Sequence, residues 1–416
     1  MLNCIFLLNP NSKQLCMNKN IERLYNIADK PVRLVIGLMS GTSVDGLDVA
    51  LCRFEGTGME SNIQLVHFET VPYGTDYKNE IASIFSKRQV DLQKLCLLNP
   101  WIAEQHSAII LQCLNKWRVN PADVDLVASH GQTIFHAPKS LHRIEKFSNA
   151  TLQLGDGDHL AVKTGIITVS DFRQKHIAAG GEGAPLAAYG DYLMFSRKGE
   201  NRILLNIGGI ANFTYLPGDL NAEKVFCSDT GPGNTMMDAY MRKHFPGEFF
   251  DKDSEIARQG TVNKELLLAL LDHHFFQQRF PKTTGPELFN EVYLNKALQK
   301  AGISQPVDPD ILATLNRFTA VTISDAINSV IDPRYTYRFF VSGGGMHNPL
   351  LMENLQELLP EIIFESTSVL QVNPDAKEAV LFAVLANEAI CGQSLGFGRG
   401  TNGIPGVSMG NISFPD

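Results

Sequence analysis

The residues best suited to chemistry are small and oxygen-bearing. Gly41-Thr42-Ser43-Val44-Asp45-Gly46-Leu47-Asp48 follows the apolar run Leu34 to Leu38 and leads into a second strand-like run, Leu47 to Phe54. Gly41, Thr42 and Ser43 let backbone N–H groups and hydroxyls approach an oxyanion such as a phosphate. Asp45 and Asp48 have the wrong sign for direct phosphate contact and suit a hydrated Mg²⁺ or a substrate hydroxyl beside it. The Asp45-Gly46 pair predicts a tight hairpin, because Gly accepts positive φ; an ordinary turn accounts equally well for these residues taken alone. Ile203 to Leu216 repeats the pattern, with Gly208-Gly209 at its turn and Asn212 just beyond. A third element, Arg338 to Val341, runs into Ser342-Gly343-Gly344-Gly345 ahead of a helix from Pro349. Asp171 follows the short strand Ile166 to Ser170, and the Ser170-Asp171 pair suits a helix N-cap.

These residues need a framework to converge them. At 416 residues the chain exceeds one compact core, so two lobes are expected. Strand-like stretches end repeatedly in polar or glycine loops, the pattern of α/β sheets whose ligands lie beyond strand ends. Val124 to Ala128 is such a strand and ends at Ser129-His130-Gly131-Gln132-Thr133. Ile102, His106, Ile109, Ile110, Cys113, Leu114 and Trp117 share one helical face, which makes His106 a core histidine. His130 and His136 lie roughly 20 Å apart along an extended segment and cannot share a metal. A duplication places lobe I at 31–200, joined by a C-terminal helix at 376–392, and lobe II at 201–375. Residues 1–30 read as a leader and 393–416 as an irregular tail.

Composition narrows the classes of function. The chain is 44% hydrophobic and 19% charged with net charge −8, which disfavours nucleic acid and acidic membrane surfaces as partners. No segment has the apolar length of a membrane span. Seven scattered cysteines without a Cys-x-x-Cys argue against a disulfide framework and for a reducing cytoplasm. No Walker sequence is present, so a P-loop is excluded; Gly231-Pro232-Gly233-Asn234 only approaches a dinucleotide fingerprint. Two small-residue hairpins plus a strand–triple-glycine–helix element point instead to a duplicated phosphotransferase fold that clamps nucleotide phosphates between lobes.

The motifs together are more specific. Met39-Ser40-Gly41-Thr42-Ser43-x-Asp45-Gly46-x-Asp48, Ser129-His130-Gly131-Gln132-Thr133 and Ser170-Asp171-Phe172-Arg173 resemble, in order, the anhydro-N-acetylmuramic acid kinase family. So do Ala179 to Leu186, Asn206 to Asn212, Asp229 to Asn234, Lys282 to Phe289 and Ser342 to Gly345, over about residues 34–415. The resemblance implies a two-lobed, duplicated ribonuclease H-like fold of the actin and hexokinase type, with the active site between lobes. It implies an ATP- and Mg²⁺-dependent kinase that opens the anhydro ring of 1,6-anhydro-N-acetylmuramic acid with water, in a cytoplasmic homodimer.

By the same resemblance Asp171 is the general base and His130, Gln132, Arg173, Gly181 and Glu182 contact the sugar. The ATP cradle comprises Gly41 to Asp48 (Val44 and Leu47 included), Gly208, Gly209, Asn212, Gly231, Gly233, Asn234 and Gly343 to Gly345. Glu378 matches a carboxylate near the metal, although a first-turn Glu also suits the helix dipole. The chain departs from the family pattern at His176, where Asp is usual, and at Glu182, where Gln is usual. Those departures keep another anhydrosugar, such as levoglucosan, as the alternative substrate; a nucleotide-driven scaffold is the non-enzymatic rival.

Overall fold

A computed structural model describes residues 17–184, 186–370, 373–392, 397 and 405–416. Twelve strands form two sheets among these residues. They are β1 Val32–Ser40, β2 Gly46–Glu55, β3 Asn62–Pro72, β4 Leu126–Ala137, β5 Ala150–Leu154, β6 Ile167–Ser170, β7 Asn201–Ile207, β8 Ile210–Leu216, β9 Phe226–Pro232, β10 Tyr337–Ser342, β11 Phe364–Ser366 and β12 Asn411–Ser413. The first sheet runs β12-β6-β4-β1-β2-β3, with β5 paired to the far end of β4; the second runs β11-β10-β7-β8-β9. In each, an antiparallel three-strand meander is followed by two parallel strands added on the side of its first strand. β3-β2-β1-β4-β6 thus matches β9-β8-β7-β10-β11 in order and direction, the duplicated ribonuclease H-like arrangement expected.

Strand periodicity explains how the first sheet is covered. Ile36, Leu38, Leu47, Val49 and Leu51 point to one face and pack with Ile102, Ile110 and Leu114 of the helix Leu92–Trp117. Val35, Ala50, Cys52 and Phe54 point to the other and pack with Ala379, Phe382, Ala383 and Ala386 of the helix Lys377–Cys391. Successive side chains alternate faces, so both faces of β1 and β2 are apolar and both are buried. The last long helix therefore belongs to the first sheet. In the second sheet Ile203, Leu205 and Ile207 pack with Ile323 and Ile327 of the helix Asp308–Val330 and with Leu351 and Leu355 of Pro349–Leu358.

Several expectations change. β4 does not stop at Ala128 but continues through His130 to Ala137, with Gly131 at φ 73°. The tail, expected to be irregular, returns β12 to pair antiparallel with β6. Part of the supposed leader is structural: the helix Lys19–Asp29 buries Ile27, and its Arg23 donates to Gly165 O. Residues 1–16 and most of 393–404 lie outside the described residues.

The approach of the last helix to β1 requires a glycine. A Cβ at Gly37 would lie 1.9 Å from Ala379 O, a backbone atom that cannot rotate away. Gly37→Ala is expected to destabilise the protein by about 3 kcal/mol through overpacking. Urea denaturation of both proteins measures the difference.

Candidate active site

A cleft of about 710 Å³ opens between the two sheets and is lined from both. The second sheet contributes a cross-strand row. Ser342 of β10 lies opposite Asn206 of β7, Asn206 opposite Asn212 of β8, and Asn212 opposite Asp229 of β9. All four line the cleft, together with Gly343 and Gly344. Gly343 is held at φ 86°, and a Cβ there would meet Ile207 O at 2.6 Å, so only glycine permits the turn over β7.

Three other glycines assigned to the ATP cradle, Gly231, Gly233 and Gly345, make close packing contacts. A Cβ at Gly345 would strike Ile207 at 2.2 Å, one at Gly233 would strike Gly208 O at 2.2 Å, and one at Gly231 would face Thr322 and Phe276 at 3.2–3.3 Å. Gly208 and Gly209 form the β7–β8 turn, and their carbonyls accept the amides of Gly233, Asn234 and Thr235. These contacts seat the helix Thr235–His244 against the hairpin tip. The Asn234 side chain approaches Gly344, with Nδ2 3.8 Å from where its Cβ would be.

The first hairpin differs in detail from a two-residue turn. Its loop spans residues 41–45, and the residue at positive φ is Val44 (54°), not Gly46. A β-branched residue there is a strained exception. Gly46 instead permits close packing, since its Cβ would lie 2.7 Å from Val71 O. Asp45 Oδ1 accepts from Ser43 Oγ and the Gly46 amide, so this carboxylate braces its own loop. The Leu47 side chain is fully buried in the core. Among the described residues the amides of Thr42 and Ser43 have no bonded acceptor, which keeps them available to an anion.

Gln132 is fully buried beneath this loop. Its Oε1 accepts from Ser40 Oγ at 2.6 Å and its Nε2 donates to Gly41 O at 3.2 Å. It shapes the loop rather than touching sugar. Ser40 in turn bonds Tyr73, and Tyr73 and Tyr77 both bond His106 Nε2. Burial drives His106 down to about 3, so it is a neutral core residue as expected.

At the end of β6, Asp171 sits at φ 59°, ψ 36° ahead of the helix Phe172–Ala178. It occupies the N-cap position, yet its side chain makes no capping bond. An uncapped aspartate in the left-handed region is a strained, freely presented carboxylate. Burial, then the negative charge of Asp156, raises its pKa. Asp171 is exposed and lies two residues before Arg173, which lines the cleft.

Arg173 Nε donates to His130 Nε2 at 2.8 Å and Nη1 to Gly183 O at 2.7 Å. His130 is buried, with Nδ1–H donating to Gly131 O at 2.9 Å. Both ring nitrogens are therefore engaged, and His130 supports Arg173 rather than contacting substrate. Burial, then Arg173, holds its pKa well below the usual value. His176 is likewise internal. Its Nδ1 accepts the Gly183 amide at 2.9 Å, and a Cβ at Gly181 would fall 2.2 Å from its ring. Gly181 thus makes room for His176, while Glu182 is half-buried in the intervening loop.

Glu378 opens the last helix and faces the cleft. Surrounding protein raises its pKa by desolvation, partly offset by Lys377 and Arg173. Asp48 is also raised, by burial first and then by Asp45 and Asp375, against a bond donated by Thr70 Oγ1. Among the described residues no group of three or more metal-ligating side chains assembles. Asp48 and Glu378 nonetheless fit Mg²⁺ in one respect: each is a carboxylate whose ionised form is disfavoured here until a cation arrives.

Two cleft residues escaped sequence reasoning. Asp229 accepts the Thr284 amide at 2.8 Å, and burial raises it to about 6. Its only signal was its place at the head of the Asp229 to Asn234 motif. Asp191, 2% exposed, accepts from Thr214 Oγ1 at 2.6 Å and pairs with Lys377 Nζ at 2.8 Å. That pair joins the helix Ala187–Phe195, β8 and the last helix, and no local pattern announces it.

Comparison with known proteins agrees with this geometry. A profile of the family described as anhydro-N-acetylmuramic acid kinase matches residues 33–413. A relative of that name from Pseudoalteromonas atlantica is 57% identical over 401 residues, 96% of this chain and 100% of the relative. One from Pseudoalteromonas translucida is 53% identical over the same shares. One from Caldanaerobacter subterraneus subsp. tengcongensis is 38% identical, covering 94% of this chain and 100% of the relative. The chain belongs to the anhydro-N-acetylmuramic acid kinase family.

Proposed function

We propose that the chain uses ATP and water to convert 1,6-anhydro-N-acetylmuramic acid to N-acetylmuramic acid 6-phosphate and ADP, a step of peptidoglycan recycling. The observation that carries the mechanism is Asp171, an uncapped carboxylate in a strained backbone conformation two residues before the cleft-lining Arg173. Asp171 takes a proton from water as the water oxygen attacks the anomeric carbon and the C1–O6 bond breaks. O6 then attacks the γ-phosphorus, and the bond to the β-phosphate oxygen breaks. A base whose pKa is raised accepts that proton more readily than an ordinary surface aspartate.

Phosphoryl transfer needs positioning and charge stabilisation more than covalent help. The open amides of Thr42 and Ser43 support phosphate binding from the first lobe. Asn206, Asn212, Gly343 and Gly344 support nucleotide binding from the second. Mg²⁺ would be held through Asp48 and Glu378, and when bound it screens phosphate charge. His176 bonds the backbone rather than facing the cleft, so its departure from the family pattern gives no reason to expect a different sugar. A cytoplasmic homodimer is proposed on the family resemblance alone. No helix among the described residues is long and apolar enough to cross a membrane.

Asp171→Asn is expected to lower kcat/KM about 1000-fold while leaving nucleotide binding intact. Sugar-dependent ADP release and calorimetric titration with a non-hydrolysable ATP analogue test the two halves. In the wild type, the acidic limb of kcat/KM should lie above the ordinary aspartate value of 3.8, because activity requires ionised Asp171.

Asp229 gives a second, thermodynamic expectation. Its pKa is 3.8 when unfolded and about 6 when folded, so between these values the native state binds more protons. Its contribution to stability is therefore lost as pH rises through that window. Asp229→Asn should flatten the corresponding segment of a stability–pH curve. Urea midpoints taken across it provide the check; an unchanged difference between the two proteins counts against the assignment.

A further inference from the structure

Arg173 is a cleft-facing cation whose only bonded partners among the described residues are neutral. Its guanidinium has five N–H donors. Nε–H goes to His130 and one Nη1–H to the Gly183 carbonyl. The other Nη1–H and both Nη2–H groups have no bonded partner among the described residues. No carboxylate there lies within ion-pair distance of it, and Glu378 acts on it only through space. Burial lowers its pKa to about 10, and the charge of Glu378 offsets that only in part. Proteins pair buried charges because an unpaired one is costly. Here the missing counter-charge faces the space that the reactants fill.

His130 explains how that state is maintained. The ring is 3% exposed and packs on Phe382 at 4.7 Å. Its Nδ1–H is committed to Gly131 O, which fixes the tautomer and turns the Nε2 lone pair to Arg173. A carboxylate at this position would orient the guanidinium equally well and cancel its charge. A neutral imidazole orients it and leaves the charge available.

We propose that Arg173 is the anion receptor of the cleft, binding an anionic oxygen pair of the reactants, and that His130 is the positioning residue that aims it without neutralising it. The proposal rests on the kinase reading above. Guanidinium suits such a pair because its N–H groups match carboxylate and phosphoryl oxygens in a bidentate fork. Two sources offer that chemistry: the lactyl carboxylate of the sugar and the phosphoryl group in transfer.

The test is sugar-dependent ADP release with 1,6-anhydro-N-acetylmuramic acid and with 1,6-anhydro-N-acetylglucosamine, which lacks the lactyl carboxylate. A wild type with no sugar-dependent release defeats the kinase reading itself. Given wild-type turnover, Arg173→Met should lower kcat/KM about 100-fold. A raised sugar KM, confined to the carboxylate-bearing substrate, assigns the lactyl group. A lowered kcat with that KM unchanged assigns the phosphoryl group. A folded Arg173→Met with kcat/KM within about threefold of wild type overturns the proposal. If that variant does not fold, Arg173→Lys, which keeps the charge and lacks the fork, is read the same way. His130→Ala should reproduce the Arg173 defect in the same kinetic parameter. His130→Gln, whose Oε1 can accept from Nε, should recover about tenfold of it. A folded His130→Gln no better than His130→Ala, or an unaffected His130→Ala, overturns the positioning role.

Discussion

The structure depends on the return of its last long helix to its first sheet. Lys377–Cys391 lies against β1 at Gly37, where the absence of a single Cβ allows strand and helix backbones to touch. Everything on the first-lobe side of the cleft follows from that contact. The apolar face of the helix, Ala379 through Ala386, completes the core under β1 and β2. Its first turn then projects Lys377, Glu378, Leu381 and Phe382 into the cleft. The same helix meets Ala187–Phe195 at Gly190, where an added Cβ would lie 2.2 Å from Leu381 Cδ1. Small residues at both crossings set the helix position more tightly than its propensity could.

The polar groups around the cleft form two populations. His106, His130 and His176 are all buried, and all are held neutral by desolvation. They serve as fixed donors and acceptors that hold, respectively, the tyrosines beneath the first hairpin, Arg173, and the Gly183 amide. The carboxylates Asp48, Asp171, Asp229 and Glu378 are raised by the same desolvation, and Asp229 and Glu378 line the cleft. Burial thus keeps the histidines out of acid–base chemistry and brings the carboxylates closer to it. Lys377 and Asp191, both lining the cleft, pair with each other and so offset each other's charge there.

Much of this was legible in the residues. Apolar runs bounded by glycine and aspartate marked β1, β2, β7, β8 and β10, because strand formation is largely local and turn chemistry punctuates it. The ordered motifs identified the family and singled out Asp171 and Arg173. What motifs could not distinguish was a glycine that admits a ligand from one that admits the protein. Gly343 and Gly344 line the cleft, whereas Gly231, Gly233 and Gly345 make room for Thr322, Gly208 and Ile207. The same limit applied to His130 and Gln132, whose polar atoms are consumed by Arg173, Ser40 and Gly41. Such assignments depend on which strand lies opposite, and register is a tertiary fact. Asp229 and Asp191 were missed for the same reason, since each acquires its setting from segments distant in sequence.

The route of the chain also orders its making. Translation emits β1 to β6 and their covering helix Leu92–Trp117 well before residue 377 is added. Until then the groove over Gly37 lacks the helix that fills it, and Val35, Ala50, Cys52 and Phe54 lack its Ala379 to Ala386 face. The second sheet, by contrast, lies within one continuous stretch, 201–366, and has its helices Asp308–Val330 and Pro349–Leu358 in that stretch. Sheets assembled from contiguous sequence require less loop closure than those finished from afar. The half that carries Asp171 is therefore synthesised first and sealed last, and its exposed groove is what a nascent chain would present to chaperones.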